Sequence, residues 1–168
     1  MSYATAADLA RVATRGWDDL AQRAAQNARV PGELLRTLYT GGSTAGVDAD
    51  VLSLAQRAME LLHDALERAS RHADTYIQPR YQGQLPLPAH LVDGSDLPTV
   101  VATVAYRRLM GASLSEDVDR NTAWAEKYLR DLAAGVVSLG GSDHDTPQPP
   151  GRMVSRTACK SIAWHRYG

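Results

Sequence analysis

A chain of 168 residues with 18 Lys and Arg against 19 Asp and Glu carries a formal net charge of −1, so the molecule as a whole exerts no strong pull on nucleic acid or on an anionic membrane. Its length suits one domain that buries roughly two-thirds of the surface its unfolded form exposes, and its single cysteine, Cys159, excludes an intramolecular disulfide. The opening Met1-Ser2-Tyr3-Ala4-Thr5-Ala6-Ala7-Asp8 has neither a basic leader nor an apolar core, and no later stretch approaches the roughly 20 apolar residues of a bilayer span, so neither secretion nor membrane insertion is expected.

In chain order, residues 5–14 and 17–27 read as two short helices, and a further turn or two is expected between Pro31 and Tyr39. Gly41-Gly42-Ser43-Thr44-Ala45-Gly46 is a loop by composition. The clearest element follows. Val51, Leu54, Ala55, Ala58, Leu61, Leu62, Ala65, Ala69, Ala73, Tyr76 and Ile77 recur at spacings of three and four, which predicts an amphipathic helix. Neither Gly nor Pro interrupts residues 50–78, Asp48 or Asp50 can cap the start, and Pro79 is a natural stop. At ~1.5 Å per residue such a helix is about 40 Å long.

Residues 81–95, which contain Leu85-Pro86-Leu87-Pro88, read as a loop. A second clear helix is predicted over residues 97–110: Pro98 suits a first turn, Leu97, Val100, Val101, Val104, Ala105 and Leu109 form one face, and Gly111 ends it. The last helix begins after Ser115, where Glu116 and Asp117 are favoured by the helix dipole. Its expected buried face is Val118, Trp124, Ala125, Tyr128, Leu129, Leu132 and Ala133, with Gly135 as the stop.

The pattern therefore predicts a mostly α fold, a small helical bundle with one long helix, followed by an extended C-terminal tail. Residues 1–139 form the helical domain, 140–151 a Gly/Pro-rich tether that cannot bury a core, and 152–168 a basic and aromatic docking tail. From Gly151 onward the chain has Arg152, Arg156, Lys160 and Arg166 and no acid, a charge of +4 that leaves −5 on the rest of the −1 molecule. Met153, Val154, Ile162, Trp164 and Tyr167 are interleaved with these cations. Such a segment is too short to fold alone and is expected to take its order from a partner's surface.

No combination of residues amounts to an active site, and no cofactor or metal is expected. Glu60 and His63 have the Glu-x-x-His spacing of di-iron bundles, but such a site needs the motif twice with two further glutamates, and no second copy is present. His72 falls beside the apolar stripe, where a histidine packs or snorkels. Asp143-His144-Asp145 reads as solvated tether, the glycine run lacks the Gly-Lys-Ser/Thr of a phosphate loop, there is no Gly-x-Ser-x-Gly elbow, and Cys159 is a bystander thiol. Two minority readings stay open: a nucleic-acid-binding helical protein using Arg152, Arg156, Lys160 and Arg166 as a phosphate arm, and a metal-dependent bundle enzyme around Glu60 and His63.

Several segments line up with one pattern. Tyr3-Ala4-Thr5-x-x-Asp8-Leu9 opens the chain, and the long helix ends in Ala69-x-x-x-Ala73-Asp74-x-Tyr76-Ile77-x-x-Arg80-Tyr81 followed by Leu85-Pro86-Leu87-Pro88. Val101-Ala102-Thr103-Val104-Ala105-Tyr106-Arg107-Arg108, then Glu116-Asp117-Val118 through Lys127-Tyr128-Leu129 to Gly140, and finally Arg152-Met153-Val154-Ser155-Arg156 continue it. With these the chain resembles the Mu-like phage neck proteins, also described as head-completion or head-tail connector adaptor proteins. Residues 29–44 depart from the pattern as an insertion, Gln82-Gly83-Gln84 lengthens a loop, and the end past Ser161 runs long. The resemblance implies a virion structural protein of the neck, assembled in the bacterial host cytoplasm and located between capsid portal and tail. Its copies would form a homo-oligomeric ring, about twelvefold, under the portal protein. A tail-side neck or stopper protein would bind below, and genomic DNA would pass through the lumen without sequence-specific recognition. The residues implied to bind the portal are Arg152, Met153, Val154, Arg156, Lys160, Ile162, Trp164, Arg166 and Tyr167.

Overall fold

The computed structural model describes residues 2–81, 83–111 and 116–140. Among them are seven helices and no strand: α1 (Ala6–Val12), α2 (Trp17–Ala25), α3 (Gly32–Thr40), α4 (Ala49–Ile77), α5 (Ala89–Asp93), α6 (Leu97–Met110) and α7 (Glu116–Ala133). The mostly α bundle with one long helix is the predicted class. The tether beyond Gly140 and the tail lie outside the described residues.

Local chemistry sets the helix ends. Thr5 and Asp8 form a reciprocal capping box on α1, each side chain accepting from the other residue's backbone N–H. Asp48, the earlier of the two proposed caps, accepts from the Asp50 N–H at 2.8 Å, and α4 stops at Ile77, two residues before Pro79. α7 closes in a Schellman turn: the Gly135 and Val136 amides donate to the carbonyls of Leu132 and Asp131, with Gly135 at φ +72°.

The central element is α6. It packs against α1, α2, α4, α5 and α7, and every residue from Val100 to Tyr106 is buried. A helix apolar on nearly all sides belongs in the middle of a bundle, and here the others wrap it. α4 lies along α6 with Ala55, Ala58, Met59, Leu62, Leu66, Ala69, Ala73 and Ile77 inward. Three buried hydroxyls are satisfied within their own helices: Ser70, Thr103 and Thr122 donate to the carbonyls of Leu66, Thr99 and Val118.

Three expectations need correction. Leu61 is 52% exposed and Trp124 43% exposed, whereas both were expected in the core. On α4 the buried line runs through Met59, Leu62 and Leu66, so Leu61 falls about 100° to one side. On α7 the line runs through Thr122, Ala125, Leu129 and Leu132, with Trp124, Val118, Tyr128 and Ala133 on its flanks. The loop expected over residues 81–95 contains α5, whose Leu91 and Val92 cover the start of the bundle; Pro88 before it is a helix N-cap, not a loop marker. The turn or two expected between Pro31 and Tyr39 is α3, whose Leu34 and Leu35 are buried between α2 and α4.

Candidate functional site

The residues chosen from sequence for partner binding, Arg152 to Tyr167, lie outside the described residues. What is described is the point from which that segment departs. Leu139 is buried, and Gly140, at φ +99°, comes so close to the loop before α6 that a Cβ there would sit 3.1 Å from the Gly94 carbonyl oxygen. Arg80, just beyond α4, secures the same turn by donating from Nη1 to the Val137 carbonyl at 2.6 Å and the Leu132 carbonyl at 3.4 Å. The chain thus enters its last 28 residues from a fixed position.

The quoted N-terminal and α4 motifs meet in one clasp. The Tyr3 amide donates to Ser70 Oγ at 3.0 Å, its hydroxyl donates to Asp74 Oδ1 at 2.5 Å, and that hydroxyl accepts from the Leu87 amide at 3.2 Å. Burial, and then the bond to Asp74, push the Tyr3 hydroxyl up from its ordinary value of 10 to about 12. One tyrosine therefore ties the N-terminus to the end of α4 and to the Leu85-Pro86-Leu87-Pro88 segment.

A second polar cluster, which sequence reasoning missed, sits in a cleft of about 690 Å³ between α2 and the ends of α6 and α7. Tyr106 donates to the buried Asp19 at 2.5 Å, Arg23 donates from Nε to the same carboxylate at 3.1 Å, and Thr14 lies 3.3 Å from the Tyr106 hydroxyl. Burial works against the Arg23 cation, but the hydrogen bond and charge of Asp19 outweigh it and leave the guanidinium raised. Tyr106 stands out in the sequence only within the family-like motif Val101 to Arg108; its partner Asp19, 87 positions away, leaves no local signal.

The proposed metal pair does not gather ligands. Glu60 and His63 are both exposed beside Tyr39 and Met59, and among the described residues no three His, Cys, Asp or Glu converge. His72 is half-buried against Tyr76 and lies 3.2 Å from Glu126, joining α4 to α7 as a packing residue. No described helix is long and apolar enough to cross a membrane. Large exposed apolar side chains among the described residues are Tyr39, Leu61, Trp124 and Val136. Leu61 lines a cleft of about 340 Å³ with Arg68, Arg108 and Leu109.

No curated protein and no solved structure matches the chain. The family profile described as "Bacteriophage Mu, Gp36" matches residues 3–157, a span that holds the Tyr3 clasp, the Asp19 cluster, the Arg80 turn and the first basic residues of the tail. The chain belongs to the bacteriophage Mu Gp36 family.

Proposed function

We propose that this phage protein is a virion structural component, a head-tail connector adaptor without a catalytic role, whose copies form a ring of about twelve under the portal. The observation that carries the reading is how the family-like residues are used. Tyr3, Asp74, Leu87 and Arg80 bind one helix to another and fix the exit of the C-terminal segment. Residues used in this way serve a rigid holder. In the proposed mechanism the helical body packs against neighbouring copies. The tail, residues 152–168, reaches into grooves between portal subunits through Arg152, Arg156, Lys160 and Arg166 and the interleaved Met153, Val154, Ile162, Trp164 and Tyr167. Many weak contacts made at once around a ring couple it firmly to the portal. A tail-side neck protein binds the opposite face, and DNA passes through the lumen without being read.

Deleting residues 151–168 tests this directly. The truncated chain should unfold at the same denaturant midpoint as the full chain but fail to attach to portal rings in co-sedimentation, and electron microscopy of particles should place the full chain between portal and tail. Normal attachment by the truncated chain would sink the tail assignment. The basic tail also favours one second reading, a nucleic-acid-binding protein. Strong, sequence-selective retention of duplex DNA by the isolated protein, falling steeply with salt, would support that reading over the adaptor.

A further inference from the structure

Between α2 and the end of α6, the side of α4 opens into the cleft of about 340 Å³, whose floor is apolar and whose rim is cationic. Leu61 is 52% exposed there, on a helix that otherwise sorts its apolar residues inward. Arg108 is held over α4 by donating from Nη1 to the Arg68 carbonyl at 3.1 Å, and Arg68 pairs with Asp64 one turn back. Arg108 has no carboxylate partner among the described residues.

A second exposed edge has the complementary chemistry. On α7, Trp124 is 43% exposed. Asp117, exposed as well, precedes it by seven residues, which is two turns and therefore the same side of the helix. Seven residues also separate Leu61 from Arg68, so both pairs span about 10 Å along their helices. One edge runs Leu61, Asp64, Arg68 with Arg108 beside it, and the other runs Asp117, Arg120, Trp124. Laid antiparallel, they match carboxylate to guanidinium at two levels and indole to aliphatic side chain at the third. Within one molecule they face apart: Glu126 turns toward His72 of α4, while Trp124, roughly 200° around the helix from it, lines a separate cleft with Val12 and Thr99.

The geometry points to a docking surface between copies of this chain, in which the Asp117 to Trp124 edge of α7 in one copy lies along the α4 cleft of the next. Asp117 meets Arg68 and Arg108, and Trp124 covers Leu61. The inference rests on the ring-forming reading above and names its faces. Because the two edges differ, each copy uses one on either neighbour, the kind of contact that propagates and closes into a ring. A nucleic-acid backbone suits the cleft less well, since Leu61 and Leu109 offer phosphate nothing and Asp64 opposes it.

Sedimentation velocity of the full chain over a concentration series tests the surface. Wild type should assemble beyond a dimer. Trp124→Ala, and Arg68→Glu combined with Arg108→Glu, should each raise the concentration needed by about tenfold or more, with unchanged urea midpoints showing that the fold is intact. Asp117→Arg chains and Arg68→Glu/Arg108→Glu chains, each impaired alone, should assemble when mixed, because the reversed edge fits the reversed cleft while the unaltered edge and cleft pair as before. A wild type that stays monomeric throughout, or a mixture that fails to assemble, overturns the inference. Variants that assemble normally and attach to portals overturn these faces and leave the adaptor reading intact. Variants that behave as expected, from a wild type that never attaches to portals, keep the interface and sink the adaptor reading. If reversing the arginines instead abolishes duplex DNA binding and leaves self-association untouched, the cleft serves phosphate and the inference fails.

Discussion

Tyr3 shows how a single side chain can close a bundle at the end where the sequence offers no long helix. Its hydroxyl satisfies Asp74 and the Leu87 amide at once, so Tyr3→Phe removes two hydrogen bonds while keeping the ring. A loss of about 1–2 kcal/mol is expected from urea unfolding at neutral pH. The pH dependence has a definite sign. A hydroxyl raised from 10 to about 12 in the folded state contributes stability that is fully present below pH 10 and is lost as pH climbs through about 12. The gap between wild type and Tyr3→Phe should therefore narrow across that window, and the absence of a gap at any pH would mean that Tyr3 stabilises by packing alone. Asp19 is the other decisive residue. Asp19→Ala leaves the Tyr106 hydroxyl and the Arg23 guanidinium without their shared acceptor, and a drop of about 2–3 kcal/mol with an unchanged m value is expected.

At the scale of elements, two junctions hold the bundle's ends. α3 starts directly on α2: the Gly32 amide donates to Asp18 Oδ1 at 3.0 Å, and a Cβ at Gly32 would lie 2.4 Å from that oxygen and 2.5 Å from the Asp18 backbone nitrogen. Gly32→Ala must part the two helices, and a loss of about 1–3 kcal/mol in thermal or urea unfolding is expected. Arg80→Ala removes the donor that fastens the turn after α7, so backbone order parameters of Val136, Val137 and Leu139 measured by NMR should fall while those in the middle of α4 hold. These junctions also mark where reading the sequence stops working. Periodicity gave α6 to the residue and α4 to within one residue at each end, because both carry long uninterrupted apolar faces and clear stops. It missed α5, five residues long between prolines, where the period has no room to show. It also placed Leu61 and Trp124 in the core, since a stripe alone does not reveal which flank a neighbouring helix covers. The clasp residues Tyr3, Asp74 and Arg80 were visible only as family-like letters, because hydrogen bonds spanning 71 and 57 positions leave no trace in local pattern.

For the whole molecule, charge and architecture divide the labour. The described body is a helical bundle with satisfied interior polar groups, and the net positive charge lies in the last eighteen residues, +4 against −5 for the rest. The sequence announces that division plainly, through a run of Gly and Pro and then cations without acids. The edges proposed for contact between copies were not announced, because an exposed leucine and tryptophan become meaningful only once the surrounding arginines and carboxylates are placed in space.

The enclosure of α6 by five other helices has a consequence for how the molecule opens. No single helix can swing away and bare it, so its amides from Val100 to Tyr106 should trade hydrogen for deuterium only when the entire bundle comes apart. They should be the slowest amides in the chain, at a rate set by global unfolding, while α3 and α5 at the margins exchange through smaller local openings. Under load the molecule would thus yield at its periphery and keep its axis.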